Sequence, residues 1–288
     1  TDARRHLVME AAQFPNELQP VFENLERNSN PWGFGAHTRG DWAEGLELKI
    51  GEPSEYLFYV GCAGSFDNRN KQVSRTLARL MQQAGVDFSI MGEAEMCNGD
   101  LARRSGNEFL FQMLAEMNVA TLQEAGVQKI VTACPHCFHT LGKEYGDYGG
   151  DFEVIHHTQL LAELREQGKL KVSDRNTTLT YHDPCYMGRI DDSHEAPRKA
   201  LGGEILEMHR CRDKTFCCGA GGARMWVEED ADKRVNLIRA QEALDTGADE
   251  VGTGCPFCMT MLTDGMKTLG SETQVRDISE IMVEQLEA

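Results

Sequence analysis

Two Cys-x-x-Cys turns, Cys134-Pro135-His136-Cys137 and Cys255-Pro256-Phe257-Cys258, carry the strongest chemical signal in this sequence. Each is followed by helix-like sequence and preceded by more distant cysteines: Cys62 and Cys97-Asn98-Gly99 before the first, Cys185 and Cys217-Cys218-Gly219 before the second. Thiols collected in this way resemble soft-metal ligand sets. A redox dithiol is the other reading of Cys-x-x-Cys, but it leaves the adjacent Cys217-Cys218 pair unexplained. Disulfides are a third reading. No secretory signal opens the chain, and 288 residues suffice for a core without covalent staples.

The two cysteine sets are copies of one another. Cys62 to Cys185 is 123 positions, Cys97 to Cys217 is 120, and Cys134 to Cys255 and Cys137 to Cys258 are each 121. Thr132, Pro135 and Leu141 recur at the same offset of 121 as Thr253, Pro256 and Leu262. Such agreement marks an internal repeat of about 120 residues, each copy with its own sulfurs. Of the ten cysteines only Cys211 falls outside it, and it reads as an incidental thiol.

The elements that must position these sulfurs follow from periodicity. Tyr56–Val60 is a short apolar strand running into Cys62; Val73, Leu77, Leu80 and Met81 keep helical spacing up to Gly85; 87–90 is a second strand before Cys97; a helical run from Phe109 ends at Gly126; and Lys129–Thr132 delivers Cys134 and Cys137. The second copy repeats the order, with strands at 179–181, 204–208 and 250–253 and a helix over 228–244. Strand and helix in alternation imply an α/β fold: two tandem homologous domains, 51–172 and 173–288, with parallel sheets flanked by helices. Residues 1–50, rich in Asn, Pro, Gly and Trp, are expected to form an irregular N-terminal arm. Every repeated cysteine then falls just beyond a strand's carboxyl end, where α/β sheets gather their ligands.

Composition narrows the partners. A net charge of −17 argues against binding nucleic acid or anionic lipid through charge. No run approaches the roughly 20 apolar residues of a membrane span, and the pI of about 4.9 fits a module facing the cytoplasm.

The doubled pattern Cys … Cys-Cys-Gly … Cys-x-x-Cys, over residues 55–287, resembles the cysteine-rich CCG domain family, which includes a heterodisulfide reductase component and iron–sulfur subunits of glycerol-3-phosphate and lactate oxidation systems. In the arm, Phe14-Pro15-Asn16-Glu17-Leu18, Asn30-Pro31-Trp32-Gly33 and Asp41-Trp42-Ala43-Glu44-Gly45-Leu46 are similar to the linker of longer, membrane-associated members. The resemblance implies an oxidoreductase module passing electrons from a soluble donor such as electron-transfer flavoprotein, alongside domains with ferredoxin-type clusters, to a membrane quinone. Its place would be the inner face of the membrane. A disulfide reductase subunit and a structural zinc docking module are the alternatives.

Carried over residue by residue, the family pattern makes Cys185, Cys217, Cys218, Cys255 and Cys258 a five-thiolate site for a noncubane [4Fe-4S] cluster. The first copy departs from it: aligning Gly99 with Gly219 sets Asn98 where Cys218 stands, a slide by one would set Met96 opposite Cys217 instead, and either leaves four thiolates. Cys62, Cys97, Cys134 and Cys137 remain, enough for a cubane [4Fe-4S] cluster or for Zn. His182 and Asp183 are candidates for hydrogen bonding behind the ligands, His136 for a replacement ligand, and Arg224 for a positive charge near the cluster. His156-His157 read as structural, and Glu228-Glu229-Asp230 as acids complementing a helix N-terminus.

Overall fold

The computed structural model describes residues 2–173, 175–230 and 233–286. The arm contains helices α1 (Asp2–Met9) and α2 (Leu18–Asn28) before two single 3-10 turns. It is thus more ordered than its composition suggested. Leu18, Val21, Phe22 and Leu25 fall at helical spacing and pack against Phe111 and Leu114 of the first repeat, burial that outweighs the surrounding Asn, Pro and Gly.

The first repeat follows as β1 (Lys49–Ile50), β2 (Tyr56–Phe58), α3 (Gly61–Phe66), α4 (Asn68–Gln83), β3 (Phe88–Ile90), α5 (Asp100–Ser105), α6 (Glu108–Glu124), β4 (Lys129–Thr132), α7 (Pro135–His139), β5 (Glu153–His156) and α8 (His157–Glu166). The expected spans are close to those found. In α4 the Asp67 side chain caps the first turn by accepting from Asn70 N at 2.8 Å, Val73, Leu77, Leu80 and Met81 are buried, and the chain leaves through Gly85 at φ +69°. The strands form one parallel sheet in the order β1-β3-β2-β4-β5.

The second repeat comprises β6 (Leu179–His182), α9 (Glu195–Leu201), α10 (Val235–Leu244), β7 (Glu250–Thr253), α11 (Pro256–Thr268), β8 (Gln274–Asp277) and α12 (Ile278–Glu284). Its parallel sheet has the order β6-β7-β8, matching β2-β4-β5. Two expectations are corrected. The segment 204–208 is not a strand: it leaves Gly202-Gly203, both at positive φ, pairs once with β6 through Leu179 and Ile205, and then has Glu207 held by Arg198 and Arg212. The helix expected from Glu228 begins at Val235. Of its missing part, 231–232 lie outside the described residues, while Glu229 pairs with Arg224 and Asp230 with Lys233 in the preceding loop.

The repeats share a core. One buried cluster runs from Phe58, Leu77 and Leu80 of the first through Leu160 and Leu164 to Leu179, Ile278 and Ile281 of the second. At its polar edge the repeat partners His156 and Asp277 each cap the following helix with a capping box, and His157 Nε2 lies 3.1 Å from Asp277 Oδ1. A shared core couples the unfolding of both repeats. Leu80→Ala is expected to cost about 2–5 kcal/mol and to lower a single denaturation midpoint followed alike by circular dichroism and tryptophan fluorescence; two separated transitions would contradict the coupling.

Candidate metal centres

Seven of the nine repeated cysteines lie beyond the end of a parallel strand, while Cys217 and Cys218 sit in a loop that no strand precedes directly. Cys62 opens α3 after β2, Cys97 sits in the turn between β3 and α5, and Cys134 and Cys137 occupy the N-cap and third position of α7 after β4. Cys185 follows β6, Cys217 and Cys218 lie in the loop before α10, and Cys255 and Cys258 begin α11 after β7. Pro at the first position of α7 and of α11 fixes the helix start without wasting an N–H, so the two sulfurs of each pair converge. All ten cysteines are free thiols, and Cys62, Cys97, Cys134, Cys137, Cys218, Cys255 and Cys258 are buried.

The structure brings the nine repeated cysteines into two adjacent groups. Cys62, Cys97, Cys134 and Cys137 line a cavity of about 60 Å³, whose far wall is Ala220, Gly221, Gly222 and Ala223 from the second repeat's cysteine loop. In the second group Cys218 Sγ lies 3.3 Å from Cys258 Sγ, and Cys217 lies against both Cys185 and Cys218. Cys211 stands apart, half-buried beside Glu207.

The acidities show what crowding does. Hydrogen bonds from Cys185 and Cys218 bring Cys217 down to about 2, while Cys185 and Cys218 are pushed up, chiefly by their contact with Cys217. In the first group burial raises Cys62, and the contact with Cys134 raises Cys137. Burial opposes ionisation of Cys134 as well, but a hydrogen bond from Cys137 and the charge of His136 bring it to about 7. Several thiolates in one buried group need a cation among them, and sulfur-only donor sets fit iron or zinc.

The backbone around the sulfurs fits the same purpose. Gly99 N donates to Cys97 Sγ at 3.5 Å and Gly219 N to Cys217 Sγ at 3.3 Å, both glycines being left-handed at φ +84° and +97°. A Cβ on Gly61 would stand 3.1 Å from Cys137 Sγ. Asn98 Nδ2 donates to Cys137 Sγ at 2.9 Å, the repeat equivalent of the Cys218–Cys258 sulfur contact. The missing cysteine is therefore replaced in space by an amide that donates to the Cys137 sulfur.

His182 behaves as a donor. A ring nitrogen lies within 4.8 Å of the Cys218 and Cys258 sulfurs. The buried Arg239 donates from Nε to His182 Nδ1 at 2.8 Å, which leaves the proton of the neutral ring on Nε2. Burial and the charge of Arg239 keep the ring neutral, and Nε2 has no partner among the described residues. An N–H left over beside a sulfur group suits a cluster, whose sulfurs accept hydrogen bonds. Asp183 is committed elsewhere, paired with Arg198 at 2.7 Å.

His136 points away from ligation. Its Nδ1 lies 2.7 Å from Asp100 Oδ2, and Asp100 also receives Tyr186 Oη at 3.0 Å and Arg104 Nε at 3.0 Å. Although burial opposes it, Asp100 lifts His136 to about 10, so the ring is charged at neutral pH. It meets Phe257 edge-on at 5.4 Å and Tyr186 at 4.6 Å, so the two Cys-x-x-Cys turns touch through rings of their own middle residues. Arg224, by contrast, is spent on Glu229. Sequence reasoning missed Asp100 and Arg39, the latter a buried arm residue whose Nη2 donates to Cys62 Sγ at 3.3 Å. Nothing in the pattern around Arg39 singles it out, and Asp100 had only its nearness to Cys97.

The family profile of the cysteine-rich CCG domain matches residues 56–142 and 179–263. The chain is similar to "EtfAB:quinone oxidoreductase" of Syntrophomonas wolfei, 42% identical over 99% of this chain and 43% of that protein. It is also similar to "Probable iron-sulfur-binding oxidoreductase FadF" of Bacillus subtilis, 40% identical over 99% of this chain and 43% of that one. A third relative is a component of the dihydromethanophenazine:CoB–CoM heterodisulfide reductase of Methanosarcina barkeri, 34% identical over 94% of this chain and 69% of that polypeptide. This chain thus spans under half the length of the first two. A solved hypothetical protein from Helicobacter pylori shares the fold at a TM-score of 0.58 and 10% identity, over 98% of this chain and 56% of that one. With a match in each repeat, over the very strands and turns that gather the sulfurs, the chain belongs to the CCG cysteine-rich domain family and carries two of its domains in tandem.

Proposed function

We propose that this chain is the iron–sulfur electron-transfer module of an oxidoreductase, with Cys185, Cys217, Cys218, Cys255 and Cys258 holding a noncubane [4Fe-4S] cluster and Cys62, Cys97, Cys134 and Cys137 a four-thiolate cubane [4Fe-4S] cluster. The observation that carries this reading is the pair of largely buried sulfur groups, five against four, with His136 of one Cys-x-x-Cys turn in ring contact with Phe257 of the other. An iron–sulfur cluster, when bound, supplies one-electron transfer. The chain's own residues supply the rest: thiolates anchor, Gly99, Gly219, Asn98 and His182 offer N–H groups to sulfur, and burial excludes water.

The relative named as an EtfAB:quinone oxidoreductase supports a soluble electron-transfer flavoprotein as donor and a membrane quinone as the eventual acceptor. Among the described residues no helix is long and apolar enough to cross a membrane, so contact with the quinone would run through other redox subunits or domains with ferredoxin-type clusters, at the inner face of the membrane. A second reading, reduction of a disulfide substrate, is favoured by the similarity to the heterodisulfide reductase component.

Two measurements separate these readings and test the ligand assignment. Anaerobically purified protein is expected to be brown, to bleach with dithionite, and to be reduced by electron-transfer flavoprotein without turning over small disulfides. Steady turnover of a disulfide would overturn the relay, and a colourless protein would favour a zinc module. Exchanging the residues that distinguish the repeats should exchange their spectra: Asn98→Cys is expected to give the first site the electron paramagnetic resonance signature of the second, and Cys218→Asn the converse. Unchanged spectra in both variants would contradict the assignment of that position.

A further inference from the structure

The arm reaches into the first sulfur group. Arg39, 3% exposed, donates from Nη2 to Cys62 Sγ at 3.3 Å, with Nη1 at 3.8 Å from the same sulfur. The guanidinium is held by Glu95 Oε1 at 3.3 Å and Ser29 O at 3.3 Å and lies over the Phe66 ring at 5.2 Å. These supports are themselves built into the cysteine turns. Glu95 accepts Val60 N and Gly61 N at 2.9 Å each, immediately before Cys62, and Ser29 O also accepts Cys97 N at 2.8 Å. Arg39 is therefore fixed relative to both Cys62 and Cys97 by hydrogen bonds of the protein alone.

Among the described residues nothing equivalent serves the second group. Among the described residues its sulfurs receive backbone N–H groups from Gly219 and Cys258, and no guanidinium donates to them. Arg239, the buried arginine on that side, donates to His182 and to Arg210 O. Arg39 also lies outside the residues matched to the family, so this contact belongs to the arm and not to the repeat.

We infer that Arg39 is a positioning residue for the first centre, holding Cys62 and stabilising the extra negative charge of that centre's reduced state, so that the arm makes the first centre easier to reduce. The physical basis is that a charged N–H donor on a ligand sulfur favours the more negative state of a cluster, and it does so strongly where water is excluded. Glu95 does not cancel the effect, because its oxygens are turned to Val60 N and Gly61 N as well as to the guanidinium, whereas the sulfur receives the guanidinium directly. This inference rests on the proposed cluster at Cys62, Cys97, Cys134 and Cys137.

The test is a potentiometric titration of the holoprotein, with the two centres told apart by their electron paramagnetic resonance spectra, in Arg39→Met and Arg39→Lys. Arg39→Met is expected to weaken reduction of the first centre at least tenfold, about 59 mV for one electron, and to leave the second centre where it was. Arg39→Lys keeps the charge and should recover part of the shift; it also provides the reading if the methionine variant fails to fold. A first centre whose potential ignores both substitutions, or an equal shift in both centres, overturns the role of Arg39 alone. Zinc without iron in the first site of the unsubstituted protein overturns the cluster reading and this inference together.

Discussion

Sulfur atoms gathered in contact inside a protein can each be charged only if positive charge is brought among them, and the rest of this molecule is arranged around that demand. Cys217 ionises readily only while Cys185 and Cys218 keep their protons, and Cys134 only while Cys137 does. Groups balanced in this way are poised to lose protons to a metal. The parallel strands bring several turns to one point, the prolines set the helix starts, and left-handed glycines let backbone N–H groups approach the sulfurs. His136, held charged by Asp100, places a positive charge between the two groups.

The pseudo-symmetry of the two repeats gives their differences meaning. Gly99 N and Gly219 N each donate to the cysteine two residues earlier, and His156 and Asp277 cap equivalent helices, so the frames correspond in kind. Within that frame Asn98 replaces Cys218, exchanging a sulfur–sulfur contact for an amide donor on Cys137. The first group has a cationic donor from the arm; the second has a neutral imidazole held in one tautomer by Arg239. A single ancestral plan has thus been given two electrostatic settings. The arm spans both, because Arg4 reaches Gly222 O at 2.9 Å and Trp32 packs on Trp226 at 5.2 Å, while α2 is buried in the first repeat.

Much of this was legible in the sequence, for physical reasons. The spacing of the cysteines identified the repeat, and apolar periodicity located β2, α4, α6, β4 and β7, because their burial requires it. The alignment of Gly99 with Gly219 placed Asn98 opposite Cys218, and the hydrogen bonds agree. Strands β5 and β8 escaped notice because Glu153 and Gln274 begin short edge segments with mixed polarity. The 204–208 segment looked like a strand and is not, since ion pairs at Glu207 take over after one pairing. Arg39 and Asp100 were invisible as site residues. Their roles come from chain crossings between distant segments, which local spacing cannot encode.

The central claim is that both sulfur groups hold iron–sulfur clusters. Quantifying iron, acid-labile sulfide and zinc in the anaerobically purified chain addresses it directly. Iron and sulfide are expected in equal amounts, sufficient for two four-iron centres, with no stoichiometric zinc; zinc in place of iron and sulfide in either site would contradict two clusters.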